Sequence, residues 1–140
     1  MPTPPWDQPE AEALRGYVDR LLREREEWLE FVVLFGSRAR GDWTRGSDFD
    51  VLVGLREDDG KRWWDRLGEW EAREGPVEVF PYSRTEWERM FESRHPLLLD
   101  ALEHGVVLWD RGSFARMRAT FRRWREAGLV VPWRDGWRIA

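Results

Sequence analysis

Along the chain the apolar positions change their spacing several times, and each change marks an element. From Glu10 to about Glu30, Leu14, Val18, Leu21, Leu22, Trp28 and Leu29 recur at helical intervals among charges, which predicts one long amphipathic helix with a face against a sheet. Phe31 to Phe35 is an unbroken β-branched and aromatic run that stops at Gly36, the mark of a buried strand. After a Gly-Ser turn and a short helical piece, the run from Asp48 to Val53 alternates. It predicts a second strand, about Phe49 to Leu55, with Asp48, Asp50 and Leu52 on one face and Phe49, Val51 and Val53 on the other.

Shorter pieces follow. Asp58 to Gly60 is a loop, and Lys61 to Glu74 places Trp63, Trp64, Leu67 and Trp70 at helical offsets before a stop at Gly75-Pro76. Val77 to Phe80 predicts a third strand closed by Pro81, and Ser83-Arg-Thr-Glu86 fits a capping box opening a helix that carries Trp87, Met90 and Phe91. His95-Pro96 breaks that helix. Leu97 to His104 predicts another, Val106 to Trp109 a last strand, and Ser113 the cap of a helix striped by Phe114, Met117, Phe121 and Trp124. Residues 2 to 9 hold four prolines and predict an extended leader. The order gives an α/β (α+β) fold class, a sheet of about four short strands covered by helices.

Composition sharpens the outline. A chain of 140 residues fits one domain with a short C-terminal extension, a body at 1–110 and a helix and tail at 111–140. The tail holds eight Arg against Glu126 and Asp135, a net +6, which leaves −10 on the body. That acidic body argues against direct nucleic-acid binding, so the basic tail, with Phe121, Trp124, Trp133 and Trp137, is expected to face a protein partner. With no Cys there is no disulfide framework and no thiolate chemistry. The N-terminus lacks a signal-peptide pattern and no stretch suits a membrane span, so no membrane association and a cytoplasmic location are expected. Most of the eleven Trp are expected in the core, with Trp43 the candidate platform for a base. His95 and His104 are expected as caps or surface residues.

The chemistry concentrates between Gly36 and Asp50. Gly36-Ser37 after a buried strand suits an anion, and Arg38 and Arg40 could clamp phosphate against a competing role in salt bridges. Gly36 and Gly41 have the spacing that opens a P-loop, but Asp42-Trp43 stands where Lys-Ser/Thr is required. Asp48 and Asp50 could begin a calcium loop, yet Leu52 and Val53 replace the next ligand and the sharp Gly turn. Two acids about 6–7 Å apart on one strand face instead invite a cation, and Glu78, mid-strand between Val77 and Val79, is the third acid available.

Gly36-Ser37, ten residues, then Asp48-x-Asp50 within a strand and an acid one strand on resembles the DNA polymerase β-type nucleotidyltransferase superfamily. The fuller run Gly-Ser-Arg-Ala-Arg-Gly followed by Ser47-Asp48-Phe49-Asp50-Val51-Leu52-Val53 is similar to its minimal nucleotidyltransferase (MNT) branch, the partners of HEPN-domain proteins. The resemblance implies a small mixed sheet flanked by helices. It implies that Gly36 and Ser37 hold the phosphates of an NTP, ATP being expected, and Ser47, Arg38 and Arg40 are the further candidates for phosphate binding. Asp48, Asp50 and Glu78 would be the catalytic and metal-binding acids for two Mg²⁺ ions. It further implies transfer of NMP to a hydroxyl, a tyrosine of a HEPN toxin, in a type VII-like antitoxin. Glu78 departs from the usual Asp and bears on turnover. An antitoxin that neutralises by contact alone, and transfer to a small molecule such as an aminoglycoside, are the alternatives. Homo- and hetero-oligomers are both compatible with the sequence.

Overall fold

The computed structural model describes residues 4–140. Four strands, β1 (Leu29–Phe35), β2 (Phe49–Leu55), β3 (Val77–Tyr82) and β4 (Val106–Asp110), form one sheet in the order β3-β2-β1-β4. β1 runs antiparallel to β2 and to β4, whereas β2 and β3 are parallel, so the sheet is mixed. The parallel pair needs a crossover, and α3 (Trp63–Trp70) lies within it.

Alternation along the strands divides the core in two. One face presents Val32, Leu34, Phe49, Val51, Val53 and Val79 to α1 (Ala11–Arg25) and Trp70. The opposite face presents Phe31, Val33, Phe35 and Leu52 to α4 (Arg84–Glu92), α5 (Pro96–His104) and α6 (Ser113–Glu126). Gly54 belongs to this second face for a steric reason. A Cβ there would stand 2.3 Å from the ring of its cross-strand neighbour Phe31.

Several expectations need correction. The first helix ends at Arg25 and passes through a 3₁₀ turn, Glu26–Trp28, because Leu29 and Glu30 already belong to β1. α3 is shorter than the span 61–74, and Arg66 within it anchors the preceding loop: 1% exposed, it pairs with both Asp59 oxygens (2.9 and 2.7 Å) and with Glu86. Pro81 does not close β3, since an edge strand tolerates the missing N–H. The capping box of Ser83 and Glu86 is present, and His95 Nδ1 accepts the Leu97 N–H as the α5 cap. Ser113 is not the cap of α6. Asp110 takes that part, accepting from the N–H groups of Gly112, Phe114 and Ala115, while Ser113 donates to the buried Glu30.

The ends of the chain also differ from expectation. Of the proline-rich leader, residues 1–3 lie outside the described residues. Pro5–Asp7 form a 3₁₀ turn with Pro5 and Gln8 buried. The tail folds back as a hairpin, β5 (Val130–Trp133) and β6 (Gly136–Ile139), with Trp137 edge-on to Phe121 at 5.7 Å. Only Trp70 and Trp87 among the eleven Trp are buried; the rest lie at the surface or half-buried, many beneath an Arg guanidinium. Aromatic–cation stacking, not core filling, accounts for most of the tryptophan content.

The tail's charge is partly structural. Arg118 donates to the carbonyls of Leu102, Ala101 and Gly105 at 3.1, 3.2 and 2.7 Å, capping the C-terminal end of α5, where cations are favoured. Arg125 forms a two-bond pair with Glu103. Replacing Arg118 with Met removes that donor from all three carbonyls, of which Ala101 keeps the Gly105 N–H. Urea denaturation is expected to show a loss of about 2 kcal/mol, with the same change at Arg122, which is exposed, nearly silent.

Candidate active site

The site grows from the end of β1. Phe35 is the last strand residue, and Gly36 adopts φ 74°, ψ −159°, a conformation essentially confined to glycine. A side chain is excluded as well, since a Cβ at Gly36 would stand 2.3 Å from Asp50 Oδ2. The backbone therefore lies directly against the Asp50 carboxylate. From there Ser37–Arg40 form one helical turn, α2, which ends at Gly41 with φ 100°.

β2 brings in the acids. Phe35 pairs with Asp50 across the β1·β2 ladder, and Asp50 pairs with Glu78 across the parallel β2·β3 ladder. Asp50 and Glu78 thus lie side by side on neighbouring strands, with Gly36, one residue past the end of β1, against Asp50 and Asp48 just before β2; these four residues are the acid row. Burial pushes the Asp50 carboxyl up to about 6; the charges of Glu78, Asp48 and Asp100 add to the rise, and Arg40 opposes it. Asp100, on α5, has no place in the sequence pattern of the site. It accepts from Arg40 Nη1 at 3.2 Å, and Arg40 also pairs with Asp42, so one arginine ties the loop after α2 to α5 while its charge acts on Asp50.

Arg38 and Arg40, adjacent in pattern, part company in structure. Arg38 is 1% exposed and commits its guanidinium to the Ser47 carbonyl (3.1 and 2.9 Å) and the Pro9 carbonyl (3.2 Å), with Phe49 and Trp43 on its faces. It cannot double as a phosphate clamp. Its function is to fasten the loop before Asp48, and Trp43, expected as a base platform, has one face taken by that guanidinium. Ser47 contributes to the same loop, its Oγ accepting the Thr44 N–H at 2.9 Å.

The model of the nucleotidyltransferase domain family matches residues 15–108, ending within β4 and including every residue of the acid row. The chain belongs to the nucleotidyltransferase domain family. A curated relative, "Putative protein adenylyltransferase MJ0604" of Methanocaldococcus jannaschii, is 39% identical over 44 residues, 31% of this chain and 44% of the relative. The match therefore spans less than half the length of that relative. Among solved structures, a toxin-antitoxin complex with AMP-PNP is similar at TM-score 0.52 and 19% identity, covering 81% of this chain and 88% of the other. A second, a mutant form of the toxin-antitoxin MntA-HpeT, is similar at TM-score 0.51 and 19% identity over 82% and 88% of the two chains. These likenesses are of fold.

Members of a nucleotidyltransferase family use an NTP and a divalent cation, and the residues here suit both. Asp50 is held above the ordinary carboxylate range by burial and a surplus of negative charge, which a divalent cation would relieve. Among the described residues no three His, Cys, Asp or Glu side chains already form a metal cluster. Mg²⁺ typically takes one or two carboxylates and completes its shell with substrate phosphates and water, so a partial set of acids is the appropriate donor set. Among the described residues no helix is long and apolar enough to cross a membrane.

The raised carboxyl makes a stability prediction whose sign is opposite to that of a salt-bridged acid. Folding favours protonated Asp50, so its charge costs stability above about 6 and the cost fades as pH falls toward the ordinary carboxylate range. Asp50→Asn is expected to stabilise the metal-free chain at neutral pH by about 1–2 kcal/mol, a figure reduced for partial solvent exposure. Urea titrations repeated near pH 4 should show most of that gain gone.

Proposed function

We propose that the chain is an Mg²⁺-dependent nucleotidyltransferase that moves AMP from ATP to a hydroxyl on a tyrosine of a HEPN-domain partner, acting as an antitoxin. One observation carries this reading: the register that sets Asp50 beside Glu78, with Gly36 directly against the Asp50 carboxylate. Such a row separates a phosphate-holding end from an acid end, as in-line displacement demands.

The chain's own residues divide the work. Gly36 lets the backbone approach the phosphates closely, and Ser37, the first residue of α2, would add its hydroxyl and N–H there. Arg40, with 35% of its side chain exposed, is the arginine placed to meet a phosphate oxygen. Asp48, Asp50 and Glu78 would hold the divalent cations, whose chemistry is to neutralise the charge that builds on the phosphates. The acceptor oxygen bonds to the α-phosphorus, the bond from that phosphorus to the bridging oxygen breaks, and pyrophosphate leaves. The hydroxyl proton passes to the acid end of the row, where Glu78 stands. Positioning and electrostatics supply the rate.

A second reading, neutralisation of the partner by contact without transfer, is favoured by Glu78 itself, which is exposed and longer by one methylene than Asp. The supporting likenesses are a relative named as an adenylyltransferase and the toxin-antitoxin folds. The purified chain, a co-expressed HEPN protein, Mg²⁺ and α-labelled ATP separate the two. Label is expected on the partner and should fall by at least about 100-fold in Asp48→Asn and in Asp50→Asn. Unlabelled partner, with toxicity still suppressed by both variants, would establish the contact mechanism instead. Glu78→Asp distinguishes a tuned site from a tolerated one: transfer is expected to persist, with kcat altered more than the KM for ATP.

A further inference from the structure

A charged cleft of about 350 Å³ opens between the end of α2, helix α5 and the C-terminal hairpin. Its lining includes Arg40, Asp42, Asp100 and His104 of the body and Arg134 and Trp137 of the hairpin. Two observations join it to the acid row. After burial and the nearer acids, the charges of Arg40 and Asp100 both act on the Asp50 carboxyl. Asp42 and Asp100 also fix the Arg40 guanidinium. Its Nε lies 3.4 Å from Asp42 and its Nη1 3.2 Å from Asp100, so among the described residues Nη2 is the nitrogen left without a partner.

Arg134 lines the hairpin side of this cleft and forms no ion pair among the described residues; its guanidinium lies 5.7 Å from the ring of Trp133, itself 49% exposed. Its backbone is strained. Arg134 opens the two-residue turn between the paired Trp133 and Gly136 with φ 55°, at a position where hairpins favour glycine. An arginine there costs stability, and its exposed side chain returns little to the packing. Strain of this kind, at the mouth of a cleft that reaches Arg40, points to a ligand.

We infer that the hairpin completes the nucleotide site, with Arg134 as a second arginine on the polyphosphate end of the NTP, beyond the oxygen met by Arg40. This rests on the transfer reading above and adds to it a residue outside the family's matched span, 15–108. Size and lining decide which part of the nucleotide enters. Ligand sites run from roughly 300 to 1,000 Å³, so a cleft of about 350 Å³ takes part of a nucleotide and not the whole. Two guanidinium groups receive oxyanions through their forked N–H groups. A base would need an open ring face, and Trp137, the largest ring of the lining, already meets Phe121 edge-on at 5.7 Å and the Arg125 guanidinium at 5.8 Å. The acids of the cleft are no bar. Asp42 and Asp100 pair with Arg40, Asp135 is exposed to screening, and the polyphosphate arrives as its Mg²⁺ complex. In the transfer step the electron pair of the broken phosphorus–oxygen bond goes to pyrophosphate, and Arg40 and Arg134 would share the charge that grows there.

The test uses the full chain and a readout that needs no turnover. Arg134→Gly separates the side chain from the fold, because glycine suits a positive φ and should leave the melting temperature unchanged or higher. In calorimetry with Mg²⁺, α,β-methylene-ATP, which cannot release AMP, is expected to bind this variant at least about 10-fold more weakly than wild type. AMP affinity should change by less than about 2-fold, and Arg134→Lys should fall between. Undiminished affinity for the analogue, or equal losses for the analogue and AMP, would overturn the assignment. The Trp137 indole ¹⁵N resonance is expected to shift with Mg²⁺ tripolyphosphate and to ignore adenosine; the reverse would seat the base in the cleft and overturn it as well. A wild-type chain that binds the analogue yet labels no hydroxyl sinks the transfer reading by itself, and the ratio of analogue to AMP affinities still decides Arg134. Failure of the wild-type chain to bind the analogue sinks both.

Discussion

Parallel pairing of β2 with β3 sets Asp50 beside Glu78, and the two-residue period of a strand makes that pairing all-or-none. A slip of one residue would turn Glu78 to the face where Val77 and Val79 now pack, and would bring Val79 out beside the acids. The register is held by core contacts on both faces: Val51 and Val53 against α1, Leu52 against the helices opposite. The geometry of the acid row is thus a by-product of hydrophobic alternation. It needs no specialised loop beyond the one that ends β1.

That geometry is costly, and the surrounding structure bears the cost. Asp50 is crowded by Glu78, Asp48 and Asp100 and partly removed from water. Arg40 offsets some of the excess while remaining half-open to solvent. Arg38, one turn position earlier, is the opposite case. A guanidinium at 1% exposure is tolerable only because bonds or ring faces receive it from Ser47, Pro9, Gln8, Phe49 and Trp43. Gln8 also donates back to the Arg38 carbonyl at 2.9 Å, so the N-terminal turn is sewn to α2 through one side chain. The segment just before α1 is therefore part of the site's scaffold, not an extended leader.

How far the sequence disclosed this follows from the range of each interaction. Phe31 to Leu55 was legible because its signals are local: a β-branched run, a glycine stop, an alternation. Glu78 was legible too, since a lone acid between two valines in a strand must face away from the core. Arg38, Arg66 and Asp100 were not. Their partners lie at sequence separations that no spacing encodes, such as Arg38 with Pro9 and Arg40 with Asp100. Ser113 and Asp110 show a subtler failure, because both are good helix caps three residues apart, and only the demand of buried Glu30 for a donor draws Ser113 away. The hairpin did carry a local signal. Asp135-Gly136 between two tryptophans is a turn dipeptide, and it was outweighed by a reading of the tail as charge.

The tail's charge looks different once its partners are known. Arg111, Arg118 and Arg125 are turned inward, to the carbonyls of Leu29 and Glu26, to the end of α5 and to Glu103. A formal +6 over residues 111–140 therefore overstates the cationic surface available to a partner. What the tail adds to the family's core is shape. The hairpin lies beyond the matched residues 15–108, packs through Trp137 on Phe121, and forms one wall of the charged cleft with Arg134 and Asp135. Without it, Arg40 and Asp100 would face open solvent on that side, where screening weakens their hold on each other and on the neighbouring acids. The hairpin thus narrows the solvent around Arg40, the arginine whose charge opposes the rise at Asp50.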